Sequence, residues 1–136
     1  GLAHKHVPEM QKHARLEHPP IFMPSVVNTY RGMIVEVPLA LHMFTRRPTL
    51  AVCESTLREA YADSALIRVA DADAAAVCIE DDAGTDRLTV RVCGNAATGQ
   101  ARLIATLANL GKGAAGAAVQ SLNIMAGLDP VAGLTL

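Results

Sequence analysis

The sequence has 136 residues, with 12 Lys and Arg against 13 Asp and Glu, and a formal net charge of −1. This length supports one domain, while the low charge and 3% aromatic content supply neither the basic field nor the stacking surface that nucleic acid requires. We therefore expect no nucleic-acid partner. We also expect no membrane partner, because no apolar run approaches the ~20 residues of a membrane span and no signal-peptide pattern is present.

The first forty residues predict one helix followed by extended chain. Pro8 and Glu9 suit a first helical turn, where proline loses no hydrogen bond and a carboxylate meets the positive end of the dipole. We therefore predict a helix over residues 7–15. Residues 21–29 are apolar but interrupted by a proline, which predicts an edge strand or an extended loop. The next apolar run predicts a strand over 33–39.

The middle of the chain predicts a helix, a short strand and an acidic connection. Thr49 can cap an amphipathic helix over 49–62. A short strand follows over 65–69. Residues 70–86 are rich in Ala and Asp and predict an irregular, solvated connection, with room for a strand at 77–79.

The last third predicts two strands and a helix. Residues 86–93 alternate polar and apolar side chains, which is typical of a half-buried strand. A second strand over 101–107 follows a turn at Gly99. The final helix spans about 112–126, with Gly127 at its C-terminal stop.

Helices and strands in this order, without regular βα alternation, predict an α+β fold. We expect a mixed, largely antiparallel sheet with helices on one face, formed as a single domain by residues 1–136. We expect the other face to be exposed. Three cysteines without CxxC spacing favour a reducing, cytoplasmic compartment.

The first chemical motif is His4-Lys5-His6, followed closely by Glu9. Two histidines two residues apart in extended chain point the same way, and imidazole exchanges protons near neutral pH. Glu9 could orient one of the rings. The alternatives are a chance pair at a mobile terminus, or a metal site of His4, His6 and His13, for which no carboxylate or thiolate set lies at ligand spacing.

The second and third motifs can bind anions. Arg31 precedes a glycine at the start of a strand, where a guanidinium can hold a phosphate or carboxylate through two hydrogen bonds. Further along, Lys112 begins a helix that contains Gly113 and Gly116. A lysine opposes the helix dipole there unless an anion is bound. The alternatives are a surface arginine and a small-residue helix packed on the sheet.

Three segments together resemble the C-terminal part of the short bacterial N-acetyl-gamma-glutamyl-phosphate reductases, in the semialdehyde dehydrogenase superfamily. They are HKHVPEM at 4–10, RGM at 31–33 and NLGKGAAGAAVQSLNIMAGL at 109–128. The resemblance implies NADPH-dependent reduction of N-acetyl-glutamyl 5-phosphate to N-acetyl-glutamate 5-semialdehyde, in arginine biosynthesis. It also implies an N-terminal Rossmann domain that holds NADP and a nucleophilic cysteine. This chain would be the substrate and dimerisation domain.

The resemblance also implies roles for individual residues. His6 would be the general acid/base at the thiohemiacetal oxygen, with His4 as the alternative and Glu9 in support. Arg31 and Lys112 would bind the anionic acyl phosphate.

Residues near the start of the last helix would face the cofactor. The resemblance places Asn109, Gly113 and Gly116 near the nicotinamide. Long-type members usually have Asp where this chain has Ala108, which removes a carboxylate from this segment.

The chain has no GxGxxG after a strand and no cysteine ahead of the histidine pair. It begins with Gly1 rather than Met, so we expect an engineered or tagged product or a fragment. We therefore expect that the isolated chain binds no NADP, is inactive, and needs the Rossmann domain as a partner. Because an Ala-rich chain with an apolar sheet face is poorly soluble alone, we also expect a homo-oligomer, either dimer or tetramer. The alternative is a free-standing structural or oligomerisation domain without catalysis.

Overall fold

Four strands form one sheet in the order β1-β4-β3-β2 in the computed structural model, which describes residues 3–71 and 76–136. Strands β1 and β3 each pair antiparallel with β4, and β2 pairs parallel with β3. The prediction of a mixed, largely antiparallel sheet is therefore confirmed. The strands are β1 (Met33–Ala40), β2 (Ile67–Val69), β3 (Leu88–Asn95) and β4 (Gln100–Leu107).

Three α-helices accompany the sheet in the described residues: α1 (Val7–His13), α2 (Leu50–Ala60) and α3 (Gly116–Met125). Helix α1 ends two residues before the predicted end, and residues 21–29 form an extended loop. Thr49 caps α2 as predicted, because its hydroxyl oxygen accepts a hydrogen bond from the Val52 backbone N–H over 3.2 Å.

The last helix begins differently from the prediction. Residues Gly111–Ala115 form a π-helical turn before α3 starts. In this turn the N–H of Gly113 donates to the carbonyl of Ala108 over 2.9 Å, a bond that spans five residues. The small side chains of this segment leave room for such a wide turn, and π-turns within helices occur frequently at functional sites.

Helix α2 and the π-helical turn contact the same face of the sheet, as predicted. Side chains alternate along a strand, so the register places Met33, Leu107 and Gly94 on one side. On that side, a Cβ atom added to Gly94 would lie 2.7 Å from the Leu50 side chain of α2. A Cβ added to Gly113 would lie 3.7 Å from the Met33 methyl carbon. We call this side the helix face.

The opposite face is covered along the two central strands, β3 and β4, so the prediction of an exposed face is wrong there. The covering segment comprises residues 76–86, which were expected to be solvated. Asp82 of this segment is only 8% exposed, because its carboxylate accepts hydroxyl hydrogen bonds from Thr89 and Thr106 on this face. Residues 77–79 form no strand, because turns begin there instead, and Asp73 lies outside the described residues.

The hydrophobic core lies on both faces of the two central strands, β3 and β4. Val92, Ile104 and Leu107 are almost fully buried. In the part of the chain that the structure describes, none of the helices has the length and apolar character needed to cross a bilayer.

Candidate functional site

The two N-terminal imidazoles pack edge to face. The ring centroids of His4 and His6 are 4.8 Å apart, and the ring of His4 also packs edge-on against Phe22 at 4.9 Å. The backbone N–H of His6 donates to Nδ1 of His4 over 3.3 Å. Because Nδ1 is the acceptor in this bond, a neutral His4 ring carries its proton on Nε2. The bond and the two ring contacts hold His4 in one orientation.

His6 is the more accessible of the two. It is exposed and precedes the first turn of α1, and its ring nitrogens make no hydrogen bond with any described residue. Both ring nitrogens are therefore open to a ligand. Glu9 is also exposed, but its carboxylate forms no hydrogen bond with either imidazole in the structure. The structure thus brings His4 and His6 together without Glu9.

Arg31 presents an exposed cation on a loop just before β1. Its guanidinium lies over the ring of Tyr30, 5.1 Å from the centroid. Among the described residues no carboxylate lies within ion-pairing distance of it. A planar guanidinium with its donors unpaired can hold a phosphate or carboxylate through two hydrogen bonds.

The backbone behind Arg31 is fixed on two sides at Gly32. The N–H of Gly32 donates to Oδ1 of Asn109 over 3.2 Å, which joins this loop to the segment that follows β4. Gly32 has φ +119°, a conformation that favours glycine, and an added Cβ would overlap the carbonyl oxygen of Ile79. The structure therefore places Arg31 and Asn109, which lie far apart in sequence, side by side.

Lys112 lies in the π-helical turn next to Asn109. Its Nζ donates to Oε1 of Gln120 over 2.7 Å, in a partly buried position. Gln120 is a neutral acceptor, so the charge of Lys112 remains uncompensated by any described carboxylate. The lysine is thus held in place while its charge is available to an anion.

The glycines of this region pack against Asp86. A Cβ added to Gly111 would lie 2.9 Å from Oδ1 of Asp86, and one added to Gly116 would overlap the same atom. The other carboxylate oxygen of Asp86 accepts a hydrogen bond from the backbone N–H of Thr135 over 2.9 Å. Close packing against Asp86 explains the glycine at 116. Gly113 differs, because it is exposed.

The predicted residues form two groups. Arg31, Asn109 and the turn that carries Lys112 lie together, whereas no hydrogen bond or ion pair among the described residues joins them to His4 or His6. The described residues contain no group of three or more side chains placed to hold a metal ion.

A shallow groove of about 390 Å³ lies elsewhere, beside β2, and none of the predicted residues lines it. Its lining includes Arg58, Arg68 and Arg87. Arg58 is already occupied, because it donates to Glu54 and Asp71. The hydrogen bond to Glu54 is the main reason that the pKa of Arg58 is raised above its ordinary value.

Sequence reasoning missed a buried polar cluster on the face of the sheet opposite the helix face. Asp82, Thr89 and Thr106 are almost completely buried, and Arg91 bonds to Thr106 over 3.2 Å. Thr89 and Thr106 are direct partners across β3 and β4. No local motif marks such a cluster, because only the strand register brings the two threonines together.

The chain is similar to one protein family and to several individual proteins. The family model for the semialdehyde dehydrogenase dimerisation domain matches residues 1–109. The N-acetyl-gamma-glutamyl-phosphate reductase of Brucella anthropi is 47% identical over 130 residues, and those of Brucella ovis and Brucella canis are 46% identical. Each match covers 93% of this chain and 42% of the relative, so the chain spans about two fifths of the relatives' length.

Proposed function

Because the chain belongs to the semialdehyde dehydrogenase dimerisation-domain family, we propose that it is the C-terminal part of an NADPH-dependent N-acetyl-gamma-glutamyl-phosphate reductase. The complete enzyme would reduce N-acetyl-glutamyl 5-phosphate to the 5-semialdehyde, in the cytoplasm, as a step of arginine biosynthesis. The present residues 1–136 would bind the substrate, supply a proton-transfer group and pair subunits. An upstream Rossmann domain would supply NADP and a nucleophilic cysteine.

The observation that carries this proposal is the junction at Gly32. It places Arg31, a guanidinium without a described carboxylate partner, beside the turn that carries Lys112. Two cations held on fixed backbone suit a substrate with a phosphate and a carboxylate, because charge-assisted hydrogen bonds to such groups are strong. Arg31 and Lys112 therefore bind the acyl phosphate as an anion.

His6 is the acid/base group in this proposal. Its exposed ring has two nitrogens without a partner in the described chain, whereas Nδ1 of His4 is already an acceptor. A general acid must reach the oxygen that it protonates, and the free ring of His6 meets that requirement better. His4 would orient His6 through the edge-to-face contact, and Glu9 would support the pair through its negative charge.

In our proposal the chain does not hold NADP by itself. Oδ1 of Asn109 is bonded to Gly32, and Gly116 is buried against Asp86. Asn109 and Gly113 are the exposed members of this set. In our proposal Asn109, Gly113 and Gly116 form one wall near the nicotinamide, while the upstream domain holds the cofactor.

We also propose that the chain assembles as a homo-oligomer, as a dimer or tetramer. Val35 and Val37 of β1 lie on the helix face and are 44% and 46% exposed, because α2 contacts β2 and β3 and leaves β1 open. Apolar side chains in this position are suited to a subunit contact.

The experiment is an NADPH oxidation assay with N-acetyl-glutamyl 5-phosphate. The full-length reductase that contains this segment is expected to consume NADPH, and residues 1–136 alone are expected to be inactive. Turnover by the isolated chain would contradict the need for an upstream domain. A full-length protein that folds and assembles but leaves this substrate unchanged would contradict the reductase proposal and favour a purely structural domain.

A further inference from the structure

Asp82 anchors a turn of the chain to the two central strands of the sheet, near the end where β3 begins and β4 ends. Its Oδ1 accepts a hydrogen bond from the Thr89 hydroxyl over 3.0 Å, and its Oδ2 accepts one from the Thr106 hydroxyl over 2.5 Å. Thr89 and Thr106 are 1% and 0% exposed. Buried polar groups must be hydrogen-bonded, so each of these three side chains depends on the others. The position of Asp82 is therefore fixed by β3 and β4.

Arg91 strengthens the same anchor. One guanidinium nitrogen donates to Oγ1 of Thr106 over 3.2 Å, and another lies 3.4 Å from Oδ2 of Asp81. That oxygen also accepts the backbone N–H of Cys78 over 3.3 Å. The turn at residues 79–82 is thus held to the sheet through both of its aspartates.

The same turn contacts the loop that carries Arg31. The carboxylate of Glu80 accepts a hydrogen bond from the hydroxyl of Thr29, two residues before Arg31. The carbonyl of Ile79 lies so close to Gly32, one residue after Arg31, that a Cβ there would overlap it. The turn therefore contacts the chain on both sides of Arg31.

We propose that Asp82 is a positioning residue for Arg31: its buried carboxylate fixes the turn at 79–82, and that turn fixes the backbone that carries the guanidinium. Asp82 itself does not touch the substrate. The part of this inference that concerns catalysis rests on the proposed function, in which Arg31 binds the acyl phosphate.

Asp82→Asn is the appropriate variant because it preserves the size of the side chain. Thr106 already accepts a hydrogen bond from Arg91 and donates its own proton to Asp82. Thr89 donates to the other carboxylate oxygen. An amide has one acceptor oxygen, so in either orientation of the asparagine one of the two threonine protons loses its acceptor. The matched control is Asp63→Asn, because Asp63 is exposed and makes no side-chain bond with any described residue.

The first test measures amide hydrogen exchange in the 136-residue chain. Asp82→Asn is expected to accelerate exchange of the Gly32 amide by a factor about ten times the factor for the buried Ile104 amide. The reason is that the loop loosens locally while the sheet does not. Asp63→Asn is expected to change neither. If the Gly32 and Ile104 amides accelerate equally, or if the Gly32 amide is unaffected, the positioning role is wrong.

The second test is a double-mutant cycle in the full-length reductase. Asp82→Asn is expected to raise the KM for the acyl phosphate by about tenfold, and to add nothing when Arg31 is already glutamine. Effects that multiply would show that Asp82 acts independently of Arg31 and would overturn the inference. A full-length wild-type protein without reductase activity would count against the proposed function only, since the exchange experiment decides the positioning claim separately.

Discussion

The backbone N–H of Gly32 donates to the side-chain oxygen of Asn109 over 3.2 Å. This bond connects the start of β1 to the segment that follows β4. The two residues are 77 positions apart in the chain, and they bring the cations of Arg31 and Lys112 to the same end of the sheet. The substrate-binding part of the proposal depends on this connection.

Gly32→Ala tests whether this junction requires glycine. The new Cβ would overlap the Ile79 carbonyl, and φ +119° is strained for alanine. We expect the free energy of unfolding to fall by about 2–3 kcal/mol, measured by urea denaturation. The control is Gly84→Ala, because no atom lies within 4 Å of an added Cβ there. Equal stability of the two variants would contradict the described packing at Gly32.

Arg31→Gln tests anion binding in the full-length reductase. Loss of a charge-assisted pair of hydrogen bonds is expected to raise the KM for the acyl phosphate about tenfold to a hundredfold, with a smaller effect on the KM for NADPH. Arg46→Gln removes an exposed arginine that has no ion-pair partner among the described residues, and should leave both constants near their wild-type values. An Arg31 variant with unchanged KM for the acyl phosphate would exclude it as the anion-binding group.

Gln120→Leu tests whether Gln120 holds Lys112 in place. The 2.7 Å bond between Oε1 and Nζ is lost while Lys112 keeps its charge. We expect the KM for the acyl phosphate to rise about threefold, and Lys112→Met to raise it about tenfold. Lys12→Met, on the exposed surface of α1, is the matched control. If Gln120→Leu raised the KM for the acyl phosphate as much as Lys112→Met does, loss of positioning alone could not explain the effect of Gln120→Leu.

Val37→Lys tests the oligomer. Light scattering of the wild-type chain is expected to give at least twice the 14.3 kDa of one subunit. A lysine on the open part of the helix face places a charge in the proposed contact, so we expect a lower mass. Val52→Lys changes a valine that is 50% exposed on α2 and should leave the mass unchanged. A wild-type mass of one subunit would contradict the assembly.

Local sequence patterns predicted most of the fold. The alternation over 86–93 and the proline-threonine start of α2 depend on neighbouring residues, and the structure confirms both elements. The prediction of a solvated connection over 70–86 is wrong at Asp82, because the composition of the segment is that of a solvated loop. Asp82 is buried only because Thr89 and Thr106 meet across two strands, and one-dimensional patterns do not contain that pairing.

The site could be predicted only in part. The identities of His6, Arg31 and Lys112 are visible in their motifs. The contacts that hold these residues in place are not visible in the sequence. The bond between Gly32 and Asn109 and the contact between Glu80 and Thr29 join distant segments of the chain. The preference for His6 over His4 follows from the family resemblance, and the coordinates add that Nδ1 of His4 already accepts a hydrogen bond.

The acid/base role of His6 is the central claim, and His6→Asn in the full-length reductase tests it directly. His6 is exposed, so we expect this variant to fold normally and to keep its KM for the acyl phosphate. Loss of a general acid should lower kcat by about 10²–10⁴-fold, while His4→Asn should lower it far less.

The decisive measurement is therefore kcat for NADPH oxidation by the two histidine variants, side by side with the wild-type enzyme. The acid/base role of His6 predicts a loss of at least about a hundredfold for His6→Asn and a much smaller loss for His4→Asn. A His6→Asn enzyme with wild-type kcat, or a greater loss for His4→Asn, would contradict it.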